Sequence, residues 1–221
     1  MSAPDSAELP YDIAEAERAL AAADPRVAWL IAQTGPAEGR LRMRTQDTVP
    51  ALVRAIVGQQ LSTKAAATIH GRVRELLDGD VTAEALLSQP DDALRGCGLS
   101  RAKTAAVQDL ARKSLDGTVP ARAALAAMPD DEVVRRLTAV RGVGPWTAEM
   151  FLLFTLGRPD VWAAGDLGLR EGLRILTAAE ERPTPKEFAA AGAPYRPWRS
   201  VLSWHLWRAT ELPAGARPPM A

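Results

Sequence analysis

The chain has 221 residues, of which 47% are hydrophobic, with 27 basic and 27 acidic side chains. That is enough apolar material for one domain of two lobes or two small domains, and a net charge of zero excludes a nucleic-acid binder that works by bulk electrostatics alone. Cys97 is the only cysteine, which excludes an internal disulfide and a cysteine-ligated zinc or iron–sulfur site.

Alanine and leucine dominate, and β-branched runs are sparse, so the chain reads as all-α. No stretch is long and apolar enough to span a membrane, and the start lacks the basic-then-apolar order of a signal peptide. The default compartment is therefore the cytoplasm, or the nucleoid in a bacterium. Residues 1–10 read as a loose arm and residues 11–23 as a helix rich in Ala and Glu. Asp24-Pro25 starts a second helix with Val27, Leu30 and Ile31 on its apolar face, and Gly35-Pro36 ends it. Residues 39–45 alternate Arg40, Leu41, Arg42, Met43, Arg44 and read as a connector rather than a strand. Residues 49–60 form a helix that buries Leu52, Val53, Ile56 and Val57.

Gly58-Gln59-Gln60-Leu61-Ser62 interrupts that helix, and Ser62 suits the N-cap of the next, residues 63–77. Two short helices follow, 82–88 and 90–95. A Gly-x-Gly turn at Gly96-Cys97-Gly98 then leads to a helix over 101–115, capped by Ser100. The acidic arm (Asp5, Glu8, Asp12, Glu15, Glu17) is balanced by a basic stretch (Arg95, Arg101, Lys103, Arg112, Lys113), so a neutral molecule can still carry a basic face.

Asp130 and Asp131 are candidate caps for a helix that ends at Leu137, and Gly142-Val143-Gly144 breaks the periodicity. Pro145 occupies a first helical position, where no N–H is needed, and an apolar helix runs over 146–156. The pattern is helix, hairpin, helix, with amides at the second helix's start oriented to hold a phosphate. Asp166 precedes an apolar helix over 167–178 and suits an N-cap. The last helices follow Pro183-Thr184-Pro185, and the final one carries Trp198, Trp204 and Trp207 with His205.

Leu137-Thr-Ala-Val-Arg-Gly-Val-Gly-Pro-Trp-Thr-Ala148 resembles the Leu-x-x-x-Pro-Gly-Val-Gly-x-x-Thr-Ala signature of the helix-hairpin-helix DNA glycosylase superfamily, with Arg141 in place of proline. Pro-Trp-Arg-Ser-Val-Leu-Ser-Trp-His-Leu-Trp207 resembles the closing segment of its 3-methyladenine DNA glycosylase II family. The resemblance covers residues 24–212 and implies a two-lobed all-α fold with the active-site cleft between the lobes. A central helical lobe would span roughly 48–156, and the N- and C-terminal helices would form the second. Residues 1–23 would pack on the outer lobe and 213–221 would form a tail. The chain before Asp24 is too short for the additional α/β domain with which some relatives begin.

The activity implied is removal of alkylated purines, of the 3-methyladenine and 7-methylguanine type, from double-stranded DNA by a monomer that requires no cofactor. Asp166, twenty residues after Trp146, takes the catalytic carboxylate position. Trp146, Trp207 and Met150 take the base-pocket positions, Met150 where some relatives have an aromatic. Gln60, flanked by Gln59 and Leu61, takes the place of the wedge that fills the gap left by an extruded base. Arg141, Gly142, Val143, Gly144 and Thr147 would meet the DNA backbone. The main-chain carbonyls of Thr138, Val140 and Val143 would hold a structural Na⁺ or K⁺. Relatives that also cut the backbone carry a lysine nucleophile at the Trp146 position, so the resemblance implies a monofunctional enzyme that leaves an abasic site. The competing class is a non-enzymatic helix-hairpin-helix protein that binds damaged or structured DNA.

Overall fold

The computed structural model describes residues 6–213, 215, 216 and 218. The arm before Ser6 and part of the expected 213–221 tail lie outside these residues. The chain divides into two compact units, one of residues up to Arg44 and from Leu152 onward, the other of Thr45–Phe151.

The first unit begins with β1 (Ser6–Ala7), α1 (Ile13–Ala23) and α2 (Pro25–Thr34), and then β2 (Met43–Arg44). β1 and β2 pair antiparallel, Ser6 opposite Arg44 and Ala7 opposite Met43. This corrects the expectation of a loose arm and a connector. Two residues carry no readable alternation, and each finds its backbone partner only through the distant other. Asp24 closes α1 and caps α2: its Oδ1 accepts the Arg26 N–H at 2.9 Å, and its Oδ2 accepts the Tyr195 hydroxyl at 2.7 Å.

The second unit holds α3 (Thr48–Gly58), α4 (Thr63–Leu76), α5 (Ala83–Ser88), α6 (Asp91–Gly96), α7 (Arg101–Leu115), α8 (Arg122–Ala126) and α9 (Asp130–Thr138). α8 is a single short turn with no periodicity to announce it. Asp47 ties its start to that of α3, accepting the amides of Thr48 at 2.7 Å and Arg122 at 2.6 Å. α9 is capped by Pro129, not by an aspartate. Asp130, Asp131 and Glu132 instead fill its first turn, where negative charge meets the positive end of the helix dipole. α7 is the central helix of this unit, packed on α3, α5 and α6, with Val107 and Leu110 fully buried.

α10 (Pro145–Phe154) carries the chain back into the first unit, followed by α11 (Leu167–Thr177), α12 (Pro185–Ala191), a short 3₁₀ turn and α13 (Arg199–Ala209). α12 opens on a capping box between Thr184 and Glu187. α13 packs on α1, α2 and α11, and Ser200, Val201, Leu202, Ser203, His205, Leu206 and Ala209 are all buried. A helix covered on most of its sides is the core of its unit, and because its buried residues include the polar Ser200, Ser203 and His205 it lacks a clear amphipathic face. At Gly172 the approach to α11 is so close that a Cβ would land on the Leu206 carbonyl. None of the described helices is long and apolar enough to cross a membrane.

One buried polar network crosses this core. His205 is fully enclosed, with Nδ1 2.7 Å from the Thr34 hydroxyl and Nε2 donating to Glu17 Oε1 at 3.0 Å. The same Glu17 oxygen accepts the Ala37 N–H at 2.7 Å. Burial alone would raise the Glu17 carboxyl, but the bonds from His205 and Ala37 outweigh it and hold it below its ordinary 4.5. A carboxyl depressed on folding stabilises the protein above its unfolded pKa and ceases to do so as pH falls through the folded one. Glu17→Gln is therefore expected to cost about 2 kcal/mol near neutral pH. The difference from wild type should shrink as pH falls below the ordinary carboxyl range and through the depressed Glu17 value, as read from urea midpoints at each pH; a pH-independent difference would contradict this account.

Candidate active site and nucleic-acid interface

In the first unit, α13 fastens the segment between α10 and α11 at regular intervals. Arg199 grips the Asp160 carboxylate through Nε at 2.5 Å and a terminal nitrogen at 2.9 Å. The Ser200 hydroxyl donates to the Arg158 carbonyl at 2.6 Å and accepts the Val161 N–H at 2.9 Å. Ser203 donates to the Val161 carbonyl at 3.4 Å. These residues share one face of α13 with Trp207, and the segment they hold ends at Asp166.

Asp166 is buried and caps α11, its Oδ1 accepting the Leu169 N–H at 2.8 Å. The indole Nε1–H of Trp207 donates to the same oxygen at 3.1 Å. The carboxylate is thereby held in one orientation at the positive end of a helix. Trp207 is itself fixed by stacking on Phe154, with centroids 5.8 Å apart at 22°. Gly168 leaves room for the pair: a Cβ there would meet Trp207 Cδ1 at 3.0 Å and Asp166 Oδ1 at 3.2 Å. The tryptophan expected to line a base pocket thus also orients the expected catalytic carboxylate.

In the second unit, the hairpin between α9 and α10 turns through Gly142 at φ +75°, and the Val143 N–H donates to the Val140 carbonyl at 3.1 Å. Arg141 and Gly142 are exposed, while the side chains of Val143 and Thr147 are buried. The buried Thr147 hydroxyl is therefore not presented to a phosphate. The hairpin is braced from α7: Asp109 Oδ2 accepts the Arg141 N–H at 2.8 Å and Lys113 Nζ at 2.7 Å, and Lys113 also donates to the Ala139 carbonyl at 2.6 Å. Partial burial would raise the Asp109 carboxyl, but Lys113 and the Arg141 amide hold it below the usual range. On α10, Trp146 is 47% exposed and Met150, one turn on, is half-buried.

The expected wedge sits on a tight turn. Gln59 has φ −55° and ψ 130°, Gln60 has φ +58°, and the Leu61 N–H donates to the Gly58 carbonyl at 3.3 Å. This is a type II turn, whose third position favours glycine because φ is positive there. Gln60 occupies it with a full side chain, at a cost of about 1–2 kcal/mol, and is exposed, as is Leu61. Gln59 turns inward instead, its Nε2 donating to the Gly142 carbonyl at 3.0 Å. Lys103 Nζ donates to the carbonyls of Val57 and Gln59, both at 2.8 Å. Of the basic stretch over residues 95–113, Lys103 and Lys113 are thus spent on backbone carbonyls and Asp109, while Arg95, Arg101 and Arg112 remain exposed. Burial lowers the Lys103 ammonium below its usual range.

The structure thus brings Trp207 to Asp166, and Gln59 to Gly142. Sequence reasoning missed Ser200, Ser203 and Gly168 in the first group and the partners of Lys103 in the second. The only local signals were a small-residue pair, Gly168 and Gly172, one turn apart on α11, and a polar stripe on an otherwise apolar helix.

A profile described as HhH-GPD superfamily base excision DNA repair protein matches residues 53–197. The chain is 28% identical to DNA-3-methyladenine glycosylase 1 of Schizosaccharomyces pombe, over 96% of this chain and 93% of that protein. It superposes on the structure of the same yeast's 3-methyladenine DNA glycosylase in complex with abasic DNA, with a TM-score of 0.81 and 30% identity, covering 90% of this chain and 97% of that one. A DNA-3-methyladenine glycosidase from Bacillus halodurans gives a TM-score of 0.78 at 34% identity, over 88% of each chain.

The turn geometry makes its own prediction, independent of function. Gln60→Gly should hold or raise the urea midpoint, whereas Gln60→Val, β-branched at positive φ, should lower stability by about 1–2 kcal/mol. Equal stability of the two variants would mean that residue 60 does not adopt the left-handed conformation.

Proposed function

Because the chain belongs to the HhH-GPD superfamily of base excision DNA repair proteins, we propose that it is a monofunctional DNA glycosylase. It excises alkylated purines of the 3-methyladenine and 7-methylguanine type from duplex DNA, and it works as a monomer in the cytoplasm. The observation that carries this reading is Asp166, buried and held at one oxygen by the Leu169 amide and the Trp207 indole.

Hydrolysis of an N-glycosidic bond passes through a sugar with oxocarbenium character. A carboxylate fixed beside the anomeric carbon stabilises that charge and orients the attacking water, and it loses nothing to reorganisation because it is already aimed. Asp166 has this role. A purine nucleoside methylated at N3 of adenine or N7 of guanine already carries a positive charge on the base, which leaves without a general acid. Recognising it requires an electron-rich ring face, and Trp146 and Trp207 are the aromatic residues assigned to that task, with Met150 as an adaptable apolar neighbour. The extruded nucleotide leaves a gap in the stack, and Gln60, exposed at the tip of its turn with Leu61 beside it, fills the gap. Arg141 and the amides of Gly142, Val143, Gly144 and Thr147 meet the backbone phosphate and position the duplex without reading its sequence. Gln59, engaged with Gly142, supports the turn rather than entering the stack.

A monovalent cation on the hairpin belongs to the same proposal. Neutral carbonyl oxygens are the right donors for a hard cation, and the Val140 carbonyl keeps one lone pair after accepting the Val143 N–H. Thr138, Val140 and Val143 would hold the ion, which would stiffen the hairpin and add positive charge near the phosphate.

Asp166→Asn should reduce release of 7-methylguanine from alkylated duplex DNA by a factor of about 100 or more, while binding to a duplex with an abasic-site analogue persists. Undiminished release would remove Asp166 from the mechanism. Trp207→Phe retains an aromatic ring against Phe154 but loses the N–H. One hydrogen bond to a charged group is worth about 1.5–3 kcal/mol, so the single-turnover rate should fall about tenfold or more with affinity for the analogue little changed. A wild-type single-turnover rate at saturating enzyme, with a loss confined to affinity for base-containing alkylated DNA, would make Trp207 a stacking surface only.

A further inference from the structure

The turn that presents Gln60 has a near-isomer. Type I and type II turns differ mainly by a flip of the peptide between their two central residues, which changes the angles on either side of it by roughly 150° or more. Here that peptide joins Gln59 to Gln60, and its carbonyl oxygen is the one that Lys103 Nζ holds at 2.8 Å. In the flipped form that carbonyl points away, the bond to Lys103 is broken and Gln60 moves to negative φ, which any side chain prefers. Local sterics therefore favour the form in which Gln60 is aimed elsewhere, and the turn alone does not account for φ +58°.

We infer that Lys103 is the positioning residue that locks the Gln59–Gln60 peptide in the type II state and so aims Gln60 at the DNA. Its ammonium bridges Gln59 to the Val57 carbonyl near the end of α3, where orphaned carbonyls and the negative end of the helix dipole attract a cation. The bonds are charge-assisted and stronger than neutral ones. Gln59 completes the lock from its side chain, donating to the Gly142 carbonyl at 3.0 Å, so that the turn is also tied to the hairpin. Lys103 comes from α7, the helix whose Asp109 and Lys113 brace that hairpin. One helix thus sets both the wedge and the phosphate grip. The inference rests on the reading of Gln60 as the wedge.

The test compares excision of 7-methylguanine from duplex and from single-stranded oligonucleotides, because only the duplex has a stack to fill. Lys103→Met keeps the aliphatic stem and removes the donor. The expected result is a fall of about tenfold in the ratio of duplex to single-strand rates, matching Gln60→Ala, with no further fall in the double variant. Lys103→Arg, which keeps a cationic donor, should recover most of the ratio. If Lys103→Met does not fold, Lys103→Gln, a neutral donor, is measured in its place and should show a partial loss of the ratio. A wild-type ratio in folded Lys103→Met, beside a reduced one in Gln60→Ala, overturns the role of Lys103 and leaves the wedge standing. An equal slowing on both substrates, or additive losses in the double variant, also overturns it. A wild-type ratio in Gln60→Ala overturns the wedge reading, and this inference with it.

Discussion

The first unit depends on how closely α13 can approach α11. Gly172 admits the backbone of Leu206 with no side chain between, and Gly168, one turn earlier, leaves a slot that the Trp207 ring and the Asp166 carboxylate occupy together. A side chain at either position would push α13 outward, and the indole would no longer reach Oδ1. The polar stripe of α13 depends on the same approach, since Ser200 and Ser203 must meet the loop backbone at 2.6–3.4 Å to fasten it. Close packing here sets the position of the Asp166 carboxylate, the proposed catalytic group, and the helix that forms the core is also the one that aims it.

Asp166 serves as a cap and as the proposed catalyst for one physical reason. A cap needs an acceptor fixed at the start of a helix, and stabilising a cationic sugar needs a negative charge that does not reorient during the reaction. The Leu169 amide meets the first need and contributes to the second. The segment before Asp166 turns back on itself through the bond from its own amide to the Ala163 carbonyl at 3.0 Å, so the carboxylate is held from both sides of the chain.

The second unit reconciles a neutral chain with binding to a polyanion. Lys103 and Lys113 are committed to carbonyls, and Asp109 to an amide, where they brace the Gln59–Gln60 turn and the hairpin. In the proposed reading, affinity for the backbone comes from oriented amides and from Arg141, beside the exposed Arg95, Arg101 and Arg112, which a fold can present without an excess of charge over the whole molecule. The cation at position 141 also comes with a neighbour that braces it, because the backbone N–H that proline would lack is the one that Asp109 accepts.

The features legible in the sequence were those set by neighbours along the chain. Periodicity located the main helices. Asp24, Ser62, Ser100 and Asp166 were readable as caps because a cap bonds two or three residues ahead of itself. The hairpin was readable because glycine spacing and a following proline constrain the backbone locally. What only the tertiary structure decided were the partners more distant in sequence. Lys103 looked like one member of a basic stretch, and its partners lie more than forty residues away. Trp207 looked like a pocket wall, and its hydrogen-bond partner lies forty-one residues back. The strand pair of Ser6–Ala7 with Met43–Arg44 exists only because the fold brings the two together. Local sequence determines which backbone groups a segment satisfies within itself, and it leaves open which side chain comes from elsewhere to satisfy the rest. That second question is settled by packing.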